Sequence, residues 1–206
     1  MLKKLTLAAG AFALAASFCA PAFADTAELL HDANITVNNL KKDPAFAQAA
    51  RMINGARAVY IVPHLVKGGF IFGAEGGSGV LLRRTRTGWS NPKFYDMASA
   101  SFGLQAGLQK AQLVFIINSQ RALDGIDKGE VKLGAGAGLT VVNLSSGAEG
   151  ATTTHGGDIV VWTSGSGLYG GISFNGSVIK QDKDANESPI PAKEAAALRA
   201  NLATVH

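Results

Sequence analysis

Glycine recurs inside the apolar, β-branched runs of this chain and not only between them, which restricts the sheet it can build. Gly103 and Gly107, then Gly134, Gly136 and Gly138, then Gly167, Gly170, Gly171 and Gly176 all stand where a strand would carry a side chain. Glycine weakens an ordinary strand, so its repeated use points to sharply coiled strands, barrel corners or close approach of a packed element. The densest stretch runs from Val66 to Arg84. It reads as a tight hairpin with a basic tip, whose backbone comes close to a neighbour. The expected fold is therefore α+β: a strongly curved, glycine-rich antiparallel sheet or barrel, flanked by N- and C-terminal helices. A membrane-spanning barrel is the rival, but helical patterns precede the strands and interrupt them.

Residues 1–24 read as a signal peptide. Lys3 and Lys4 form its charged start, Leu5 to Phe18 its apolar stretch, and Ala22-Phe23-Ala24 its small-x-small cleavage site. Cys19 offers a lipoprotein alternative, although Phe18 stands where that signal wants a small residue. Cleavage after Ala24 is the expectation, giving a protein of the periplasm or cell envelope. The leader would take two of the four net positive charges with it, so bulk charge gives no nucleic-acid signature. It would also remove the only cysteine, which leaves no disulfide and no thiolate metal site.

The remainder, 25–206, reads as a single domain. Leu29, Leu30, Ala33, Val37 and Leu40 recur at helical spacing up to Lys41-Lys42, and a second helix runs from Ala45 to Ile53 before Asn54-Gly55 stops it. These helices span 26–54. A β core follows over 57–181, with strands expected at 58–62, 69–74, 80–84, 94–108, 113–117, 131–142, 158–162 and 168–180. Ser119 caps a short helix closed by Lys128-Gly129, and Ala195, Leu198 and Leu202 mark a C-terminal helix over 191–204.

Motifs for catalysis and cofactors fail on context. Gly165 to Gly170 matches a dinucleotide pattern, yet a strand and not a helix follows it. Gly73 to Gly79 lacks the Gly-Lys-Ser/Thr of a phosphate loop. Asp182-Lys-Asp184-Ala-Asn186 begins like a calcium loop, but Glu187 replaces the glycine of the turn and Lys193 the bidentate glutamate, so a solvated loop is expected. His31, His64, His155 and His206 share no metal-ligand spacing, and no nucleophile elbow precedes a helix. No cofactor, no metal and no catalysis are expected.

What remains is a surface chemistry. Arg83, Arg84 and Arg86 crowd one strand end, Trp89, Phe94 and Tyr95 follow, and Lys67 and Lys93 lie near in sequence. Guanidinium groups grip phosphate bidentately and amphipathic aromatics settle at membrane interfaces, so an anionic lipid headgroup is a reasonable ligand. Strand alternation puts Arg83 and Arg84 on opposite faces, which argues against all of them sharing one pocket. The bland alternative is a solvated strand end beside a core tryptophan.

Lys67 to Val80, Gly88 to Tyr95, Ser101 to Gly107, Leu113 to Asn118, Gly134 to Gly138 and Gly167 to Phe174, taken in that order, resemble the core of the SYLF lipid-binding domain family. That resemblance covers most of 25–206. It implies binding of phospholipid through an amphipathic N-terminal helix and a basic surface, and actin binding in eukaryotic members. Carried over, it adds Lys41, Lys42 and Lys67 to the lipid-binding candidates Arg83, Arg84, Arg86, Trp89 and Lys93. One departure stands near the end, where Glu-Ser-Pro-Ile-Pro191 follows Asn186 in place of the family's Phe/Tyr-Tyr-Gly triplet. The expectation is non-catalytic binding of anionic phospholipid by an exported envelope protein, with no nucleic acid and no actin in that setting. The runner-up is an envelope scaffold or adhesion module that binds a protein partner. A third reading is a lipid hydrolase using His64 or His155.

Overall fold

A computed structural model describes residues 26–69, 72–102, 109–129, 132–133, 141–144, 157–164 and 177–206. Residues 1–25, which include the segment read above as a signal peptide, His155, and the glycine strings 134–138 and 167–176 lie outside these residues. Two helices come first, α1 (Thr26–Lys42) and α2 (Phe46–Gly55), followed by β1 (Ala58–Gly69), β2 (Phe72–Thr85), β3 (Gly88–Trp89), β4 (Lys93–Phe102) and β5 (Gln109–Ile117). Then come α3 (Gln120–Lys128), β6 (Lys132–Leu133), β7 (Val141–Leu144), β8 (Ile159–Thr163), β9 (Ser177–Gln181), α4 (Lys183–Glu187) and α5 (Ala192–Ala203).

The strands form one sheet in the order β6-β9-β4-β2-β1-β5-β8-β7, with β3 attached to β2. All pairs are antiparallel except β7 with β8. Among the described residues the end strands β6 and β7 do not pair with each other, so the sheet is open and the barrel alternative falls. Closure is not needed to bury it, because helices cover its faces. On one face Val59, Ile61, Val80, Leu82, Phe94, Val114, Ile116 and Trp162 pack beneath α1, α2 and α5. On the other, Tyr60, Val62, Leu81, Tyr95, Met97, Leu113 and Phe115 join Ala122, Leu123 and Ile126 of α3. Strands buried on both faces read as continuous apolar runs, as Ala58 to Val62 and Leu113 to Ile117 do.

Curvature comes from the centre of the sheet. The β1 register shifts between Ile61 and Val66 against β2, and between Val62 and Leu65 against β5. Such a bulge bends a strand and presses its backbone on a neighbour. The glycines of β2 take up that pressure: a Cβ on Gly77 would lie 2.5 Å from the His64 carbonyl oxygen, and one on Gly79 2.5 Å from that of Ile61. The expected close approach is thus real. The basic end, however, is not the tip of the hairpin: Gly69 pairs with Gly73 beside the turn, while Arg83 pairs with Ala58 at the open end.

The helices follow their sequence signals. In α1 the buried residues are Leu29, Leu30, Ala33, Thr36, Val37 and Leu40. In α3 the Ser119 hydroxyl accepts from the Ala122 N–H, and Gly129 closes the helix at φ 66°. Two expectations are corrected. The run 131–142 does not make one strand but contributes β6 and β7 at opposite ends of the sheet. The segment 182–187 is a capped helical turn and not a loop, because the Asp182 side chain accepts from the Ala185 N–H at 3.0 Å and Asn186 clamps β4. The Asn186 side chain accepts from the Phe94 N–H at 2.9 Å and donates to the Phe94 carbonyl at 2.7 Å.

Candidate functional site

Where α2 ends, β1 begins, β2 ends and α3 begins, the chain leaves a cleft of about 700 Å³. Arg57, Arg83, Arg84 and Arg86 line it, with Asn118 and Gln120 on the α3 side, and among the described residues no carboxylate lines it. The register explains the crowding. Ala58 opposes Arg83, so Arg57 opposes Arg84, and the Arg84 N–H donates to the Arg57 carbonyl at 2.7 Å. Beyond Thr85 a tight turn places the exposed Arg86 at its tip, and Gly88 completes it at φ 134°, a conformation that suits glycine.

Three of the four guanidinium groups are held by a neighbour. Arg57 donates to the Gln120 side-chain oxygen at 3.3 Å. Arg83 is ion-paired with Asp127, whose carboxylate also accepts from the Tyr95 hydroxyl at 3.1 Å. Burial and this carboxylate push the Tyr95 hydroxyl above its ordinary pKa. Arg84 lies 3.9 Å above the Trp89 ring and donates to the Ile53 carbonyl at 2.6 Å, adding a second bond to a carbonyl near the end of α2 that already accepts from the Ala56 N–H. Its burial lowers its pKa from the usual arginine value. A guanidinium carries five N–H donors, so one or two fixed bonds orient each group and leave further donors for a ligand.

The sequence candidates divide on this geometry. Arg83 and Arg84 do point to opposite faces, as alternation requires, toward Asp127 and toward Trp89, yet both line the cleft with Arg86 because it wraps around the end of the strand. Arg57 joins them although sequence reasoning passed over it. Its only signal was its place just after the Asn54-Gly55 helix stop, and that becomes meaningful only once the hairpin register is known. Lys67 stands apart: it pairs with Glu75, eight residues along β2 from Arg83, or roughly 26 Å at about 3.3 Å per residue. Lys93 is exposed at the start of β4, opposite Leu81 and outside the cleft. Lys42 is exposed at the end of α1. Lys41 faces α5, donating to the Asn201 carbonyl at 3.0 Å and to the Thr204 hydroxyl at 2.8 Å, and burial lowers its pKa. Trp89 is only 6% exposed and belongs to the core beneath α5, so it offers no ring to a bilayer. Phe94 and Tyr95 are buried as well.

Elsewhere the chemistry is sparse. His64 lies 2.8 Å from the Asp32 carboxylate across the gap between β1 and α1; among the described residues it bonds no hydroxyl and does not line the cleft. Among the described residues no group of three His, Cys, Asp or Glu side chains is placed to hold a metal. No helix among them is long and apolar enough to cross a membrane.

Residues 98–191 match the family described as "Ysc84: Las17-binding protein actin regulator". Among curated proteins the chain is similar to LAS seventeen-binding protein 3 of Saccharomyces cerevisiae, with 32% identity over 59% of this chain and 28% of the yeast protein. It is also similar to SH3 domain-containing YSC84-like protein 1 of Bos taurus (32% identity) and of Homo sapiens (31%), in each case over 66% of this chain and 41% of the relative. The chain thus spans less than half the length of these relatives. No solved structure matches it.

Proposed function

The chain carries a Ysc84 (SYLF) domain, and on that premise we propose that it binds anionic phospholipid at a membrane surface and catalyses no reaction. The observation that supports this most is the cleft, which four arginines line, with no carboxylate among its described lining residues. Arginine matches the oxygens of a phosphate group with paired, parallel N–H bonds, and the cleft holds most of its arginines in advance. Each basic residue near an anionic surface contributes about 1 kcal/mol, so several together give reversible docking that salt weakens. The seat of binding is the cleft and not a broad face uniting Lys41, Lys42 and Lys67, since Lys67 stands at the far end of β2. The matched family is described as a binding protein and regulator, and that description names no reaction.

Flotation with vesicles of phosphatidylcholine alone, and with added anionic lipid, tests the proposal. Recovery that needs the anionic lipid and falls as salt rises is expected. Equal, salt-independent recovery from both vesicles defeats it. A protein partner is the second reading, favoured by the name of the yeast relative, LAS seventeen-binding protein 3. Binding to purified lipid alone argues against an obligatory protein partner. The leader reading of 1–24 extends the proposal to an envelope protein, and mass spectrometry of the mature N-terminus distinguishes cleavage after Ala24 from acylation at Cys19.

A further inference from the structure

Helix α5 is attached by a hinge at one end and a latch at the other. Ser188, Pro189 and Ile190 lead into it, all exposed, followed by Pro191. The two prolines have no N–H with which to anchor the segment, and the Ser188 hydroxyl donates locally, to the Asp184 carbonyl at 3.0 Å. At the far end Asn201 gathers the bonds to α1. Its side chain donates to those of Asn34 at 2.7 Å and Asn38 at 2.9 Å, and it accepts from Lys41, which also reaches the Thr204 hydroxyl. Asn34, Asn38 and Lys41 are spaced as helix neighbours, so the latch engages one ridge of α1.

Between hinge and latch the hold is light. Six of the twelve residues of α5 are alanine, and within the helix Ala195, Leu198 and Leu202 are buried, with Val205 just beyond it. Alanine has the highest helix propensity, so α5 depends less than most helices on packing to stay folded. Its main neighbours are α1 and β3. There the closed state leaves polar groups unpaired: Nε of Arg199 on α5, Nε1 of Trp89 on β3, and Nε of Arg84 stacked on that ring are buried without a hydrogen-bond partner. Buried donors without partners cost free energy that hydration relieves.

Trp89 and the α1 residues Leu30, Ala33, Val37 and Leu40 share one buried cluster with Leu198, Leu202 and Val205. Closed, that cluster offers a bilayer nothing. With α5 lifted, Trp89 and the underside of the helix are uncovered beside the turn that carries Arg86, and Lys41 is freed next to the exposed Lys42. On α5 itself Lys193 and Arg199 outnumber Glu194. Apolar side chains uncovered among cations suit an anionic membrane interface, where insertion and charge act together. The open form then has contacts with the membrane that the closed form lacks, which a shift of population requires.

We propose that α5 is a strap that lifts from α1 and β3 at an anionic membrane, hinged at 188–191 and released at Asn201, so that Trp89 and the underside of α5 enter the interface. This rests on the lipid-binding reading above and adds a gate to it.

The test uses the full chain with Cys19→Ser, Asn34→Cys and Asn201→Cys, which places one cysteine on α1 and one on α5, and compares it before and after bridging with a short bis-maleimide. The vesicles are phosphatidylcholine with phosphatidylglycerol. Bridging should weaken binding about tenfold, the order set by keeping one large apolar side chain out of the interface. With Trp162→Phe added, Trp89 is the one remaining tryptophan. Vesicles with brominated acyl chains should quench it in the unbridged protein and not in the bridged one. Hydrogen exchange of the wild-type chain in solution should be faster in α5 than in β1, and Asn201→Ala should speed α5 further while β1 is unchanged.

Bridged and unbridged proteins that bind alike, with Trp89 unquenched in both, overturn the strap and leave the lipid reading standing. Wild-type protein that binds no anionic vesicle overturns both. Exchange in α5 no faster than in β1 overturns the hinge, because α5 then opens only when the whole domain does.

Discussion

Arg83 and Asp127 form an ion pair at the cleft, with the two side chains 32% and 35% exposed. The pair joins the end of β2 to the end of α3, and it also sets a carboxylate beside a site built for anions. Asp127 thus competes with any ligand for Arg83. Asp127→Asn should strengthen binding to anionic vesicles by about 1 kcal/mol, roughly fivefold. The cost in stability should stay within about 1 kcal/mol, because partly exposed ion pairs contribute little. Vesicle titration and thermal melting of the same variant check both numbers. The Tyr95 hydroxyl supplies a third readout, since losing the neighbouring charge should bring its raised pKa back toward the ordinary tyrosine value in an ultraviolet titration.

The bulge in β1 and the glycines of β2 make a sharp test of the fold. Gly79→Ala would set a methyl group 2.5 Å from the Ile61 carbonyl oxygen and 2.7 Å from the Tyr60 ring, and Gly77→Ala would meet the His64 carbonyl at 2.5 Å. Neither obstacle is the free end of a flexible side chain. Overpacking of this kind costs about 1–3 kcal/mol. Gly76→Ala has its nearest neighbour, the Met97 carbonyl oxygen, at an ordinary 3.5 Å, so it should change stability by less than about 0.5 kcal/mol. Urea unfolding of the three variants separates the close approach from a general preference for glycine in this strand.

Asp96 offers a pH test. Burial raises its pKa above the ordinary carboxylate value; the Ser78 hydroxyl, donating at 2.7 Å, works in the opposite direction, and the charge of Asp182 adds to the rise. A folded-state pKa above the unfolded one means that the native state holds the proton more tightly. This group's stabilising contribution is therefore complete below the unfolded pKa, near 3.9, and is lost as pH rises through the folded value. At neutral pH the ionised carboxylate opposes folding. Asp96→Asn keeps an acceptor for Ser78 and should raise the melting temperature at pH 7 relative to wild type, with the advantage shrinking toward pH 4. A variant that melts lower than wild type at pH 7 would count against this account.

The parts of the fold legible in the sequence are those in which local chemistry and tertiary contact agree. The stripe from Leu29 to Leu40 fixes the buried face of α1, and the Ser119 cap with Gly129 bounds α3 because both signals are satisfied within the helix itself. Signals that depend on a distant partner were not legible. Asn186 stabilises α4 by bonding both backbone groups of Phe94, ninety-two positions away, so its segment looks like a loop in isolation. Trp89 reads equally as an interface aromatic or a core residue, and only the packing of α5 and Arg84 decides for the core. The cleft needed the pairing of Ala58 with Arg83 before Arg57 had any meaning. Alternation holds for Arg83 and Arg84, which reach Asp127 on the α3 side and Trp89 on the α2 side, and they line one cleft only because it wraps around the end of the strand.

Arg84 and Arg86 are two residues apart and should respond differently to substitution. Arg84 spans the Trp89 ring and the Ile53 carbonyl, so Arg84→Lys loses the flat stacking surface and the fixed geometry of the bond that holds the end of α2. A loss of about 1–2 kcal/mol in stability is expected even though the charge is kept. Arg86 stands exposed on the turn, and Arg86→Gln should leave stability within about 0.5 kcal/mol of wild type. It should nonetheless weaken binding to anionic vesicles by about 1 kcal/mol and flatten the salt dependence. Unfolding curves and vesicle titrations on the two variants therefore form a cross-over design. If Arg86→Gln binds like wild type, the turn is no part of the anion site; if Arg84→Lys unfolds like wild type, the stacked guanidinium does not anchor the end of α2.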